Sequence, residues 1–154
     1  MLNKIIIIYQ SGLKTGNTKY IAEQIAKELN CKVVDIATNP VINLEEYNLI
    51  GFGSGVYFWS VGCKLKKWIK NIKWSSKEAC KPDAFIFTTQ GAKKATRVHG
   101  RFNHFLHKKA GITTITGWAC QTKQVHSSEA LTNLKEWVDS KIHTPSHTKT
   151  SSKN

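Results

Sequence analysis

Residues 5–22, IIIIYQSGLKTGNTKYIA, decide how this chain is read. Four consecutive isoleucines and Tyr9 form a run apolar on every side, as a strand buried on both faces requires. The run breaks into a turn rich in hydroxyls and glycine, and the turn opens directly onto a helical pattern at Ile21, Ala22, Ile25 and Ala26. Strand, turn and helix in that order build a cradle for a phosphate. Ser11, Thr15, Asn17 and Thr18 offer side-chain donors, and Gly12 and Gly16 let the backbone come close. The first turn of the helix adds amides without helical partners and the positive end of its dipole. A plain turn with a helix cap would use the same residue types, but the tetra-isoleucine strand before it and the Ile-Ala repeat after it favour the cradle.

Outward from this stretch, short apolar runs at Lys32–Ile36, Leu49–Gly53, Ala84–Thr88 and Ile112–Thr116 read as further buried strands, making five. Between them the spacing turns helical. Ile21, Ile25 and Leu29 form one stripe, and Leu65, Trp68, Ile69 and Ile72 a second. Val98, Phe102, Phe105 and Leu106 form a third, and Leu131, Leu134, Trp137 and Val138 a fourth. Thr96 and Ser128 are the expected N-caps of the last two helices. The connection from Ala37 to Tyr47, interrupted by Pro40, reads as a loop with at most one helical turn. Strands alternating with helices predict an α/β fold, a parallel sheet covered on both faces.

The chain has 154 residues, 40% of them hydrophobic, enough for one domain with a real core. That domain is expected over residues 1–142. The segment 143–154 has no large apolar residue to offset its ordering entropy and reads as a flexible polar and basic tail. The longest apolar run, Ile5–Tyr9, is too short to cross a bilayer, and the first residues lack a signal-peptide pattern, so a soluble, cytoplasmic protein is expected. Cys31, Cys63, Cys80 and Cys120 are widely spaced and suggest neither a zinc ribbon nor a disulfide framework. His104 and His107 share a helix face with no carboxylate or cysteine beside them, which reads as a solvated basic face rather than a metal site.

Three segments resemble the flavodoxin family, and the resemblance runs over essentially all of residues 1–142. Tyr9 to Ser11 leading to Thr15, Gly16, Asn17 and Thr18 is similar to the family's FMN phosphate loop. Residues 47–59, YNLIGFGSGVYFW, are similar to its third strand and flavin-stacking loop, and residues 85–91, FIFTTQG, to its fourth strand and the loop on the other side of the ring. The resemblance implies a flavodoxin-like doubly wound five-stranded parallel sheet, order 2-1-3-4-5, with FMN beyond the carboxyl ends of the strands. Tyr57, Phe58 and Trp59, following Val56, would then wall the isoalloxazine ring, with backbone groups near Ser54, Gly55, Thr89, Gln90 and Gly91 at its polar edge. Strand alternation puts at least one of the three adjacent aromatics on the surface. Two departures stand out: Gly12-Leu13-Lys14 lengthens the phosphate loop, and the net charge is +13 where the family's carriers are usually acidic.

The expectation is an FMN-binding electron carrier with an acidic redox partner, ferredoxin-like or a reductase. No acid or base stands out in the candidate loops, so no catalytic residue is assigned. An FMN-dependent oxidoreductase acting on a quinone, porphyrin or other anionic small substrate is the alternative. The charge also admits peripheral contact with an anionic membrane, and a flavin-free basic nucleic-acid-binding protein as a third reading, though no base-reading motif is present. Basic residues gather after the two ring loops, at Lys64, Lys66, Lys67, Lys70 and Lys73, and again from Lys93 and Lys94 through Arg97 and Arg101 to Lys108 and Lys109.

Overall fold

The computed structural model describes residues 4–11, 16–92 and 94–143. Strand β1 (Ile5–Gln10) leads to helix α1 (Asn17–Leu29) and strand β2 (Lys32–Asp35). Two single 3-10 turns, Ile36–Thr38 and Leu44–Glu46, carry the chain to β3 (Leu49–Tyr57). A two-residue strand β4 (Ser60–Val61), helix α2 (Cys63–Lys70), β5 (Asp83–Gln90) and α3 (Thr96–Ala110) follow. The last elements are β6 (Thr114–Gln121) and α4 (Ser128–Trp137), which runs on into a π-helical turn, Val138–Ile142.

The main sheet has the order β2-β1-β3-β5-β6, all parallel, with β4 folded back antiparallel on the end of β3. Setting that small hairpin aside, this is the expected 2-1-3-4-5 order, and both neighbours of β1 were reached by crossing the sheet in opposite directions. Alternation along each strand sorts the core into two layers. Ile6, Ile8, Ile50, Phe52 and Ile86 face Leu65, Ile69, Val98 and Phe102 of α2 and α3. Ile7, Tyr9, Phe85 and Phe87 face Ile21, Ile25, Leu134 and Trp137 of α1 and α4. On this second face β3 presents glycine: a Cβ on Gly51 would lie 2.3 Å from the ring of Phe85, and one on Gly53 2.0 Å from that of Phe87. The two rings fill the space that side chains of β3 would otherwise take.

The structure corrects several boundaries. The last strand is Thr114–Gln121 rather than Ile112–Thr116. Gly111, at φ 68°, ends α3 and sends Ile112 into the core as the buried residue after the helix, while the strand proper lies on the sheet edge and is only half-buried. Edge strands need no continuous apolar run, which is why the apolar signal fell two residues early. Ser127, not Ser128, caps α4, accepting from the amide of Ala130 at 3.1 Å. Thr96 is the first residue of α3 and makes no cap bond. The third strand runs to Tyr57 because β4 pairs with its end. The expected tail lies outside the described residues, except for His143.

Candidate functional site: a cleft at the carboxyl ends of the strands

The strand ends open into a cleft of about 220 Å³. Ser11 follows β1, Gly16, Asn17 and Thr18 begin α1, Gly55, Val56 and Tyr57 end β3, and Thr89, Gln90 and Gly91 close β5. This is the crevice at the topological switch point, where β1 sits between β2 and β3. Twelve to fifteen, the middle of the first loop, lie outside the described residues, so the expectations for Gly12 and Thr15 are not placed.

Helix α1 supplies the polar floor. Gly16 sits in the left-handed region at φ 63°, which its missing Cβ permits, and among the described residues no side chain caps the helix. The first bond within the helix runs from the amide of Tyr20 to the carbonyl of Gly16, so the amides of Asn17, Thr18 and Lys19 precede it and have no acceptor inside the helix. Their dipole-bearing end meets the cleft at Asn17 and Thr18. Thr18 is buried, and its hydroxyl lies 3.0 Å from that of Thr89 across the floor.

Ser11 also lines the cleft, but its hydroxyl donates to Asp35 at 2.7 Å, and Asp35 accepts the amide of Ala37 on its other oxygen. The proton of Ser11 therefore points away from an anion in the cleft. Ser54 does not reach the cleft at all. It is fully buried, accepts the amide of Gly62 at 2.8 Å and donates to the carbonyl of Gly55. Its role is to tie β3 to the start of α2, beside Gln10, whose side chain accepts the amide of Leu65 at 2.8 Å.

The aromatic triplet divides. Tyr57 is half-buried in the cleft wall, and burial pushes its phenol up from the ordinary value. Phe58 and Trp59 form the two-residue turn of the β3–β4 hairpin, both at positive φ, 49° and 64°. They are 99% and 60% exposed. A type I′ hairpin requires two left-handed residues, normally Asn-Gly or its equivalents, so two bulky aromatics there are strained. With Val56, Gln90, Gly91 and Lys94 they line a second hollow of about 180 Å³, which shares Val56, Gln90 and Gly91 with the cleft.

Sequence reading missed Thr122, which lines the cleft just after β6. The signal was its place at a strand's carboxyl end, hidden by the misplaced strand boundary. Cys120 lies one layer away, buried against the α1 and α4 core, where burial pushes its thiol up. His104 and His107 are exposed, and among the described residues no group of three or more His, Cys, Asp or Glu could hold a metal. Among the described residues no helix is long and apolar enough to cross a membrane.

Charge is distributed by face. Helix α1 mixes Lys19 and Lys27 with Glu23 and Glu28, and α4 mixes Glu129 and Glu136 with Lys135. Helices α2 and α3 carry lysine and arginine and no carboxylate; between Tyr47 and Ser128 the acidic residues are Glu78 and Asp83 alone. On this face a groove of about 470 Å³ has Val61, Val98, Phe102 and Phe105 at its base and Lys66, Arg101 and Lys109 among its polar lining. Lys66 is held by a 2.8 Å bond to Ser60.

A family model described as a flavodoxin domain matches residues 6–127. An uncharacterised protein of Methanocaldococcus jannaschii is 39% identical over 88 residues, 57% of this chain and 55% of that protein, so the chain spans about half the length of this relative. Among solved structures, oxidised flavodoxin 1 of Bacillus cereus superposes with a TM-score of 0.69 at 17% identity, covering 94% of this chain and 100% of that one. A flavoprotein in complex with FMN from Lactobacillus acidophilus gives 0.59 at 18%, covering 77% and 93%. At these identities the structural likeness is one of fold. The family model covers most of the chain and every segment that lines the cleft, from Ser11 to Thr122, and on that ground this chain belongs to the flavodoxin domain family.

Proposed function

We propose that this protein binds FMN in the cleft and carries electrons between redox partners in the manner of a flavodoxin. The start of α1 carries the reading: a helix N-terminus with no side-chain cap among the described residues, behind a left-handed glycine and opening beside two buried hydroxyls. A terminal phosphate fits there without arginine or metal. The donors suit the mononucleotide, because the phosphate cradle stands at one end of a single cleft and the apolar wall of Val56 and Tyr57 at the other.

Bound FMN would supply one- and two-electron redox chemistry. The chain's own residues do the rest. The amides of Asn17 and Thr18 would hold the phosphate, and Tyr57 and the 90–91 backbone would flank the ring. Phe58 and Trp59 stand at the mouth, between the cleft and solvent. The basic face of α2 and α3 begins beside that mouth, at Lys94, and suits an acidic partner protein.

An absorption spectrum of the purified protein tests the reading, with the released cofactor identified by chromatography. Flavin bands and FMN are expected. Recovery of FAD, or no binding of added FMN at micromolar concentration, would overturn it.

A second reading, an FMN-dependent oxidoreductase acting on a quinone, porphyrin or other anionic small substrate, draws on the groove between Lys66 and Arg101. Steady turnover of NAD(P)H with a quinone by the protein alone would put it first.

A further inference from the structure

His99 lies on α3, outside the cleft, yet it is tied to the cleft by an unbroken chain of hydrogen bonds. Its Nε2 is 2.8 Å from the hydroxyl of Thr88. That hydroxyl lies 3.2 Å from Oε1 of Gln90, and Nε2 of Gln90 donates to the carbonyl of Ala92 at 2.9 Å. Thr88 and Gln90 are both buried, on the α3 side of β5. Gln90 lines the cleft and the hollow beside the hairpin.

The direction of every proton in the chain follows from its far end. The Ala92 carbonyl can only accept, so the amide nitrogen of Gln90 must face it and the amide oxygen must face Thr88. Thr88 spends its single proton on that oxygen. Its lone pair is then left for His99, so Nε2 of the imidazole carries the hydrogen. Burial, which pushes His99 down to about 4, favours the neutral ring with that hydrogen on Nε2. The neighbouring strand makes room for it: a Cβ on Gly117 of β6 would stand 2.6 Å from Nδ1 of His99.

We propose that His99 is a positioning residue, which sets the 90–92 loop of the cleft through Thr88 and Gln90. Without the imidazole, the Thr88 hydroxyl loses the partner that holds its oxygen in place, and its bond to the amide oxygen of Gln90 is no longer supported from the α3 side. The loop that flanks the ring then has one side-chain anchor weakened, and a second is Gln121, which donates to the carbonyl of Gly91 at 3.0 Å. The proposal rests on the reading of the cleft as the FMN site, and its test separates the two.

FMN affinity and the reduction potential are measured for wild type, His99→Leu, Thr88→Val, the double variant and His99→Gln, with circular dichroism to establish folding. Each single variant should lose about tenfold in affinity and shift the potential, and the double variant should lose no more than the worse single one, because both cut the same chain. His99→Gln, which restores an N–H, should recover part of the loss. Additive losses, or unchanged affinity and potential in folded variants, would overturn the proposal. If His99→Leu does not fold, Thr88→Val alone carries the test. Should wild type fail to bind FMN, the side-chain amide resonances of Gln90 in the free protein decide: they must shift in Thr88→Val and His99→Leu alike, and resonances that stay in place refute the relay.

Discussion

The hydroxyls of Thr18 and Thr89 stand 3.0 Å apart, one at the start of α1 and the other near the end of β5. Two elements separated by seventy-one residues thus meet under the floor of the cleft. Either oxygen can donate to the other, so one of the two protons remains available to an anion above.

Thr18→Val keeps the shape of the side chain and removes the hydroxyl at the first turn of α1. FMN affinity should fall at least tenfold, since a hydrogen bond to a charged group contributes about 1.5–3 kcal/mol, while riboflavin affinity should change little. Calorimetric titration with both ligands checks this. Equal losses for the two would move the phosphate away from α1.

Gly53→Ala should destabilise the fold by about 1–3 kcal/mol, because its Cβ would meet the Phe87 ring in a core with no room to relax. Urea denaturation measures the change. Adding Phe87→Leu should recover part of it, and no recovery would show that the ring is not the obstacle.

His99 also makes stability depend on pH. Its folded value of about 4 lies below the ordinary 6.5, so between those limits the unfolded chain takes up a proton that the folded one refuses. Stability should therefore be full above pH 6.5, fall as pH drops toward 4, and lose up to about 3 kcal/mol from this group. Denaturation curves for wild type and His99→Gln over that range should diverge as the pH rises, and parallel curves would contradict the assignment.

Replacing Phe58-Trp59 by Asn-Gly should raise stability by about 1–3 kcal/mol, since both residues now occupy left-handed backbone without difficulty. The same change should weaken FMN binding. A variant that gains stability and keeps full affinity would show the aromatics to be idle toward the cofactor.

Charge reversal at Lys94, Arg97 and Arg101 should slow electron exchange with an acidic partner about tenfold or more at low salt, and the difference should shrink as salt rises. It should also lower the reduction potential, because these side chains are cationic and Lys94 lines the hollow beside the ring loops. Stopped-flow rates and potentiometry across ionic strength check both.

Much of this was legible in residues 5–22 and in the apolar runs that follow, because strands buried on two faces must be continuously apolar and helices between them must carry a stripe. Ile6 to Ile8 and Phe85 to Phe87 are fully buried for that reason. What could not be read depended on partners distant in sequence. Ser54 looks like a ligand residue in its glycine-rich run until Gly62 is found on its hydroxyl. The β3–β4 hairpin was hidden because Phe-Trp is a poor turn sequence, and Thr122 because an edge strand such as β6 lacks the apolar run that marks a buried one. His99 carries no motif; only the packing of α3 on β5 joins it to Thr88.

The end of β5 is fastened on both sides, by Thr89 to α1 and by Thr88 to α3, whereas the opposite lip of the cleft is a strained two-residue turn in solvent. The two lips are mechanically unequal. If FMN occupies the cleft as proposed, it would meet a fixed jamb at residues 89–91 and a sprung latch at Phe58 and Trp59, which would make the hairpin side its route of exchange.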